Sequence, residues 1–345
     1  MATVTYKCPN CDAELTFDPE LQAFRCDYCG GRFNEQEMAR MEPQAGGAEP
    51  ASAAGEPDAV VYTCPSCGAE VMTDDSTAAT FCFYCHNPVV LSGRLEGSLR
   101  PDQVLPFAFD REEAVARFRS WVRKKRFLPR AFFSEEQIQK LSGVYYPYWL
   151  TDCTLQVSME ADARNVRTWR TGNIRYTETS FYRVSREGSV QFADLAKNAL
   201  KKSNGTLVEA VQPFDRTKMR PFTMAYLSGF LAEKRDVEHK ELEGGIAAET
   251  KEYAQTLLRE NVRGYAAVNV RDFRANVADM KARYALLPVW VLTYRHKEAL
   301  YYYVMNGQTG KVCGRLPVSF GKLAALFGTV SGLLLLLTLL GGYLL

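Results

Sequence analysis

Histidine is scarce in this chain, with only His86, His239 and His296 in 345 residues. A histidine-built metal or acid–base centre therefore has little to draw on. The sequence contains no Gly-x4-Gly-Lys-Ser/Thr phosphate loop, no His-Glu-x2-His and no Gly-x-Ser-x-Gly, which excludes the motif-borne forms of nucleotide hydrolysis, zinc proteolysis and serine hydrolysis. The nearest glycine-rich string, Gly307 to Lys311, leads from one strand pattern into another and reads as a turn. Two further absences are local. Residues 59–92 contain no Lys or Arg, and residues 323–345 contain no charge at all. Nothing at the N-terminus resembles a signal peptide. Outside two clusters, cysteine is limited to Cys153 and Cys313. These read as small buried apolar residues, with a nucleophile or redox pair as the alternative.

The clusters are the strongest signal. Cys8, Cys11, Cys26 and Cys29 share their Cys-x2-Cys, fourteen-residue gap, Cys-x2-Cys spacing with Cys64, Cys67, Cys82 and Cys85. The two sets superpose at an offset of 56, which also matches Tyr6 with Tyr62, Pro9 with Pro65, Glu14 with Glu70 and Tyr28 with Tyr84. That is an internal repeat. Two thiolates three residues apart grip one tetrahedral ion, and a second such turn completes the set, so each cluster predicts one Zn²⁺. Four sulfurs leave no open position, which makes both ions structural. A module of about 30 residues buries too little apolar surface to fold alone, whereas a structural zinc contributes on the order of 10–16 kcal/mol. Disulfides or an iron–sulfur site are the competing readings of this spacing, and His86 is a competing ligand to Cys85.

The Tyr-x-Cys-Pro-x-Cys opening at Tyr6 and the Phe-x-Cys-x-Tyr-Cys-Gly closing at Gly30 resemble the TFIIB-type zinc ribbon, also seen in primosomal helicases. Four further segments, residues 105–107, 143–149, 226–233 and 305–311, resemble uncharacterised bacterial membrane-anchored proteins that carry such a ribbon. The resemblance covers nearly the whole chain. It implies an architecture and no particular activity.

At the other end, residues 323–345 read as a membrane span. Lys311, Arg315 and Lys322 flank it on the N-terminal side and no charge follows, which predicts a tail-anchored, single-pass protein in the cell membrane with its body in the cytoplasm. Zinc-bound thiolates suit that reducing compartment. Gly328 and Gly332 make a Gly-x3-Gly spacing through which a homodimer could form.

Charge divides the chain. Residues 1–92 carry a formal −10 and the remainder +12, so the ribbons are poorly suited to grip nucleic acid and better suited to a protein partner. Residues 41–58 read as a flexible linker that lets the ribbons move independently. Residues 112–127 read as an amphipathic helix with Val115, Phe118 and Val122 on one side and Arg117, Arg119, Arg123, Lys124, Lys125 and Arg126 around the rest. Such a helix suits a membrane surface or nucleic acid, or is simply a solvated basic face. Strands are predicted at 144–159, 174–186 (closing at Glu187 and Gly188), 265–270 and 284–304, and a long helix at 236–262.

The expected fold class is α+β: zinc ribbons over 1–40 and 59–92, the linker 41–58 between them, an α+β domain over 93–316 and a transmembrane helix over 323–345. The expected function is a membrane-anchored zinc-binding scaffold or adaptor acting through protein–protein interaction, without catalysis. The alternatives are a membrane-tethered nucleic-acid-binding factor linked to transcription or replication, and an enzyme whose site lies in the α+β domain.

Overall fold

The computed structural model describes residues 3–41, 44–46, 59–64, 70–74, 76–82, 88–91, 95, 99–201, 209–296 and 299–344. The N-terminal strands are β1 (Thr3–Thr5), β2 (Leu15–Asp18), β3 (Ala23–Cys26), β4 (Arg32–Phe33), β5 (Gln44–Gly46), β6 (Ala59–Thr63), β7 (Glu70–Asp74), β8 (Thr77–Phe81) and β9 (Pro88–Leu91). In the first ribbon β2, β3 and β4 form an antiparallel sheet. The helix Glu35–Arg40 follows on a capping box, in which the Asn34 side chain accepts from the Glu37 N–H and the Glu37 carboxylate accepts from the Asn34 N–H.

The sequence repeat reappears as strand register. The pairs Phe24↔Phe33 and Arg25↔Arg32 recur 56 residues later as Thr80↔Val89 and Phe81↔Pro88. The bridge Lys7↔Glu14 recurs as Thr63↔Glu70.

The remaining strands are β10 (Gln103–Val104), β11 (Ser142–Thr171), β12 (Ile174–Asn198), β13 (Arg220–Pro221), β14 (Leu231–Glu233), β15 (Ala267–His296), β16 (Ala299–Asn306) and β17 (Val312–Gly314). The expected domain over 93–316 divides between two compact units. One contains Met1–Tyr146, Lys202–Lys234 and Leu286–Leu345, and the other Pro147–Lys201 and Arg235–Ala285. The sequence hides this division, because crossings fall inside the long strands β11 and β15 with no change of composition.

In the first unit, β1 pairs antiparallel with both β5 and β9, β8 pairs with β14, and β14 runs parallel to β11 through Val144↔Leu231 and Tyr145↔Ala232. The pairing of β1 with β9 joins strands of the two cysteine-bearing segments. Residues 44–46 of the expected linker are themselves a strand, and the rest of it, apart from Met41, lies outside the described residues.

The centre of this unit is aromatic. Phe107 stacks on Phe230 at 4.3 Å and meets Tyr145 and Trp290 edge-on at 5.0 Å. Two glycines permit the approach: a Cβ on Gly143 would meet Phe230 at 2.7 Å, and one on Gly307 would meet Phe107 at 2.6 Å. Residues from all four segments noted in the sequence thus converge here.

The helix Arg111–Arg123 starts where Asp110 accepts from the Glu113 N–H and buries Ala114, Phe118 and Val122. It ends before 127, so Lys124, Lys125 and Arg126 lie beyond it, and the Val122 carbonyl accepts from the Lys125 N–H.

In the second unit, β11 and β12 form a long hairpin closed by Gly172 and Asn173, with Gly172 at φ +60. The predicted stop at Gly188 does not occur. Gly188 pairs with Val157 inside the ladder, and the hairpin is extended because the helix His239–Asn261 covers part of it. Cys153, Leu155, Val157 and Ala254 are buried together, and Met159, Ala163, Val184 and Val262 form a second cluster.

Candidate metal centre

Two matching turns place the first four cysteines. In the first, the Cys8 N–H donates to the Ala13 carbonyl (2.7 Å) and the Asp12 N–H to the Cys8 carbonyl (2.8 Å). In the second, the Cys26 N–H donates to the Gly31 carbonyl (2.9 Å) and the Gly30 N–H to the Cys26 carbonyl (2.9 Å). The residue after each cysteine pair must take positive φ, +60 at Asp12 and +73 at Gly30, a conformation open mainly to glycine, asparagine and aspartate. Each turn buries its first cysteine and leaves the second nearer the surface.

The four sulfurs lie within 4.8 Å of one another. Cys8 Sγ is 3.6 Å from Cys29 Sγ, and Cys11 Sγ is 3.4 Å from Cys26 Sγ. A disulfide needs about 2.05 Å, whereas a tetrahedral ion with bonds of about 2.3 Å needs sulfurs roughly 3.8 Å apart. The donor set therefore fits one metal ion. Cys8, Cys11, Cys26 and Cys29 would hold it, and its chemistry there would be structural. Backbone N–H groups of Cys29 and Tyr28 hold the Cys26 thiol down to about 7, helped by Cys11 and opposed by burial, whereas Cys11 and Cys29, in spite of the N–H groups of Ala13 and Gly31, are pushed up by burial and neighbouring thiols.

The ribbon is fastened to its own unit by residues 224–230. Ser228 Oγ donates to the Leu15 carbonyl, and the Phe17 N–H donates to the Ser228 carbonyl at 3.1 Å. Tyr226 packs on Phe17 and Phe24 at 5.1 and 5.6 Å. A cavity of about 470 Å³ opens beside this junction. Its arginines are already engaged, Arg25 with Asp18 at 3.1 Å and Arg111 with the carbonyls of Leu141 and Gln139. Sequence reasoning missed this clasp because nothing in residues 224–230 carries a motif for contact with residues some two hundred positions away.

Of the second cluster, Cys64 and Cys82 are buried with Tyr62, Val89 and Leu91. Cys67, Cys85 and His86 lie outside the described residues.

The sequence is 32% identical over 329 residues to Uncharacterized protein YdjG of Bacillus subtilis (strain 168), covering 95% of this chain and 94% of that one. The chain belongs to the YdjG family. No family model matches it, and no solved structure does.

The other residues singled out in this YdjG-family chain fall in several places. Arg117 pairs with Glu113 at 2.6 Å and lies over the Phe109 ring at 4.3 Å, and Arg119 pairs with Glu135 at 2.6 Å. Lys125 lies over the Trp121 ring at 5.4 Å, and Arg123, Lys124 and Arg126 are exposed. The basic residues are thus not one uniform face: two are engaged within the fold, and the remaining four form a compact exposed run. His239 is half-buried. Its ring meets Trp149 edge-on at 5.5 Å and sits 3.0 Å from Thr151 Oγ1. Cys153 is buried with its thiol pushed up by burial, as a small apolar residue would sit, and Cys313 is half-buried in β17. The helix Phe320–Leu344 contains a stretch, Phe320–Thr338, long and apolar enough to cross a membrane and wholly unburied. Nothing lies within 4 Å of a Cβ built on Gly328 or Gly332.

Proposed function

We propose that this protein is a membrane-anchored scaffold that presents two TFIIB-type structural zinc ribbons to a protein partner and performs no chemistry itself. The observation that carries this reading is the Cys8, Cys11, Cys26, Cys29 set, four sulfurs that fill a tetrahedral ion and leave no position for substrate. Tyr28 stands between two of these ligands and is 84% exposed. A large aromatic on a metal-fixed turn is the kind of anchor around which protein interfaces concentrate their affinity.

The second zinc, at Cys64, Cys67, Cys82 and Cys85, is supported by the repeated register and by the burial of Cys64 and Cys82 in the positions of Cys8 and Cys26. By sequence, Gly68 and His86 align with Asp12 and Gly30 of the first ribbon, which favours Cys85 over His86 as the fourth ligand.

The apolar helix is the anchor, and its basic N-terminal flank keeps the body cytoplasmic. Gly328 and Gly332 leave a smooth face on which a second copy can pair. The formal −10 of residues 1–92 argues against a nucleic-acid role for the ribbons.

The test is a photo-crosslinking residue in place of Tyr28 in the full chain within its native membranes. A discrete protein adduct that disappears on chelation is expected. No adduct, or duplex binding that weakens steeply with salt, would contradict the reading.

A further inference from the structure

The foot of the apolar helix is joined to a segment almost two hundred residues earlier. The Ser319 N–H donates to the Phe127 carbonyl at 2.7 Å, and Lys322 Nζ donates to the Leu128 carbonyl at 2.8 Å. These bonds bring residues 123–128 against residues 315–322. Together the two stretches carry Arg123, Lys124, Lys125, Arg126, Arg315 and Lys322 and no acidic residue. Glu135, which lines the adjoining pocket with Arg123, Lys125 and Lys322, is already paired with Arg119.

Between them runs a groove of about 380 Å³, lined by Lys124, Lys125, Arg126 and Phe127 on one side and by Leu316 and Val318 on the other. Its floor is apolar, its rim is cationic, and Val318 is 47% exposed. If the helix spans the bilayer from Phe320, residues 316–318 lie at headgroup depth by chain continuity alone.

We propose that this groove binds an anionic phospholipid of the bilayer. Lys124, Lys125 and Arg126 hold the phosphate, and the upper acyl chain lies on Leu316 and Val318. The inference rests on the helix being a membrane anchor. A duplex would meet the same charge, but it has no use for an apolar floor at headgroup depth. A second copy would bring the same six cations and no compensating anion.

The test reconstitutes the full chain in phosphatidylcholine vesicles containing trace spin-labelled phosphatidylglycerol or spin-labelled phosphatidylcholine. The relative association of the two lipids with the protein is then read from the immobilised spectral fraction. Phosphatidylglycerol should be retained selectively. Each basic residue near an anionic surface contributes up to about fivefold, so a Lys124→Gln, Lys125→Gln, Arg126→Gln variant should lose most of that selectivity while keeping its metal content. An Arg167→Gln, Arg170→Gln, Arg175→Gln variant, with the same change in net charge on the β11/β12 hairpin tip, should keep it. Absence of selectivity in the unaltered chain overturns the proposal. So does selectivity that follows net charge equally in both variants, or loss of duplex binding with lipid selectivity intact. Flotation after alkaline washing separates this failure from failure of the anchor: a chain that washes off the vesicles refutes the span itself.

Discussion

Cys26 links the chemistry of the ribbon to its folding. It is fully buried, and backbone N–H groups from its own turn favour its thiolate. Replacing it by Ser leaves three sulfurs around an ion that needs four, and structural zinc supplies on the order of 10–16 kcal/mol to such modules. The Cys26→Ser chain should bind one zinc in place of two by metal analysis and expose β2 to β4 to proteolysis. Loss of both ions would indicate a shared centre. The neighbouring glycines predict two different costs. Gly30 has open space but φ +73, so Gly30→Ala should cost about 1–2 kcal/mol of backbone strain. A Cβ on Gly31 would lie 3.3 Å from Cys29 Sγ and 3.1 Å from Asn10 Nδ2. Gly31→Ala should therefore raise the rate of zinc loss to a chelator more than Gly30→Ala does. At this scale the first cluster was legible, because its cysteine spacing predicted the four sulfurs that the structure brings together.

Elements were legible wherever one local rule governs them. Asp110 and the buried Ala114, Phe118 and Val122 mark a helix, and the ribbon repeat predicts its own strand register. Contacts made at long range were hidden. Nothing in Leu105, Pro106 or Phe107 indicates that Phe107 would stack on Phe230 under the cover of Gly143 and Gly307. Gly307→Ala should therefore lower the thermal midpoint by the equivalent of about 1–3 kcal/mol, an overpacking cost. The bulkier Gly307→Val should prevent folding. The β11/β12 hairpin carries a different signature. Arg170 and Arg175 face each other next to its two-residue turn, and like charges directly opposed cost up to about 1 kcal/mol. Arg175→Glu should slow amide exchange at the hairpin tip, and unchanged exchange would mean that salt or an anion already screens the pair.

On the proposed reading the whole molecule is an anchor at one end and metal-built modules at the other, and the middle is where sequence reasoning was weakest. A flexible arm between the ribbons was expected from a composition poor in apolar residues. That arm lies almost wholly outside the described residues, and beside it the structure pairs β1 with β9 and packs Tyr226 and Ser228 against the first ribbon. Composition reports what a segment cannot bury and is silent on strands completed by distant partners. Removing residues 323–345 should release the chain to the soluble fraction, and protease applied outside intact cells should leave the ribbons uncut. The account turns most on whether the metal centres are closed. X-ray absorption at the zinc edge of the full chain, purified in detergent, tests this directly. It should show two zinc ions per chain, each with four sulfur neighbours at about 2.3 Å and no oxygen or nitrogen in the inner sphere. An inner-sphere oxygen would mean an open site and a catalytic role, and would contradict the scaffold reading.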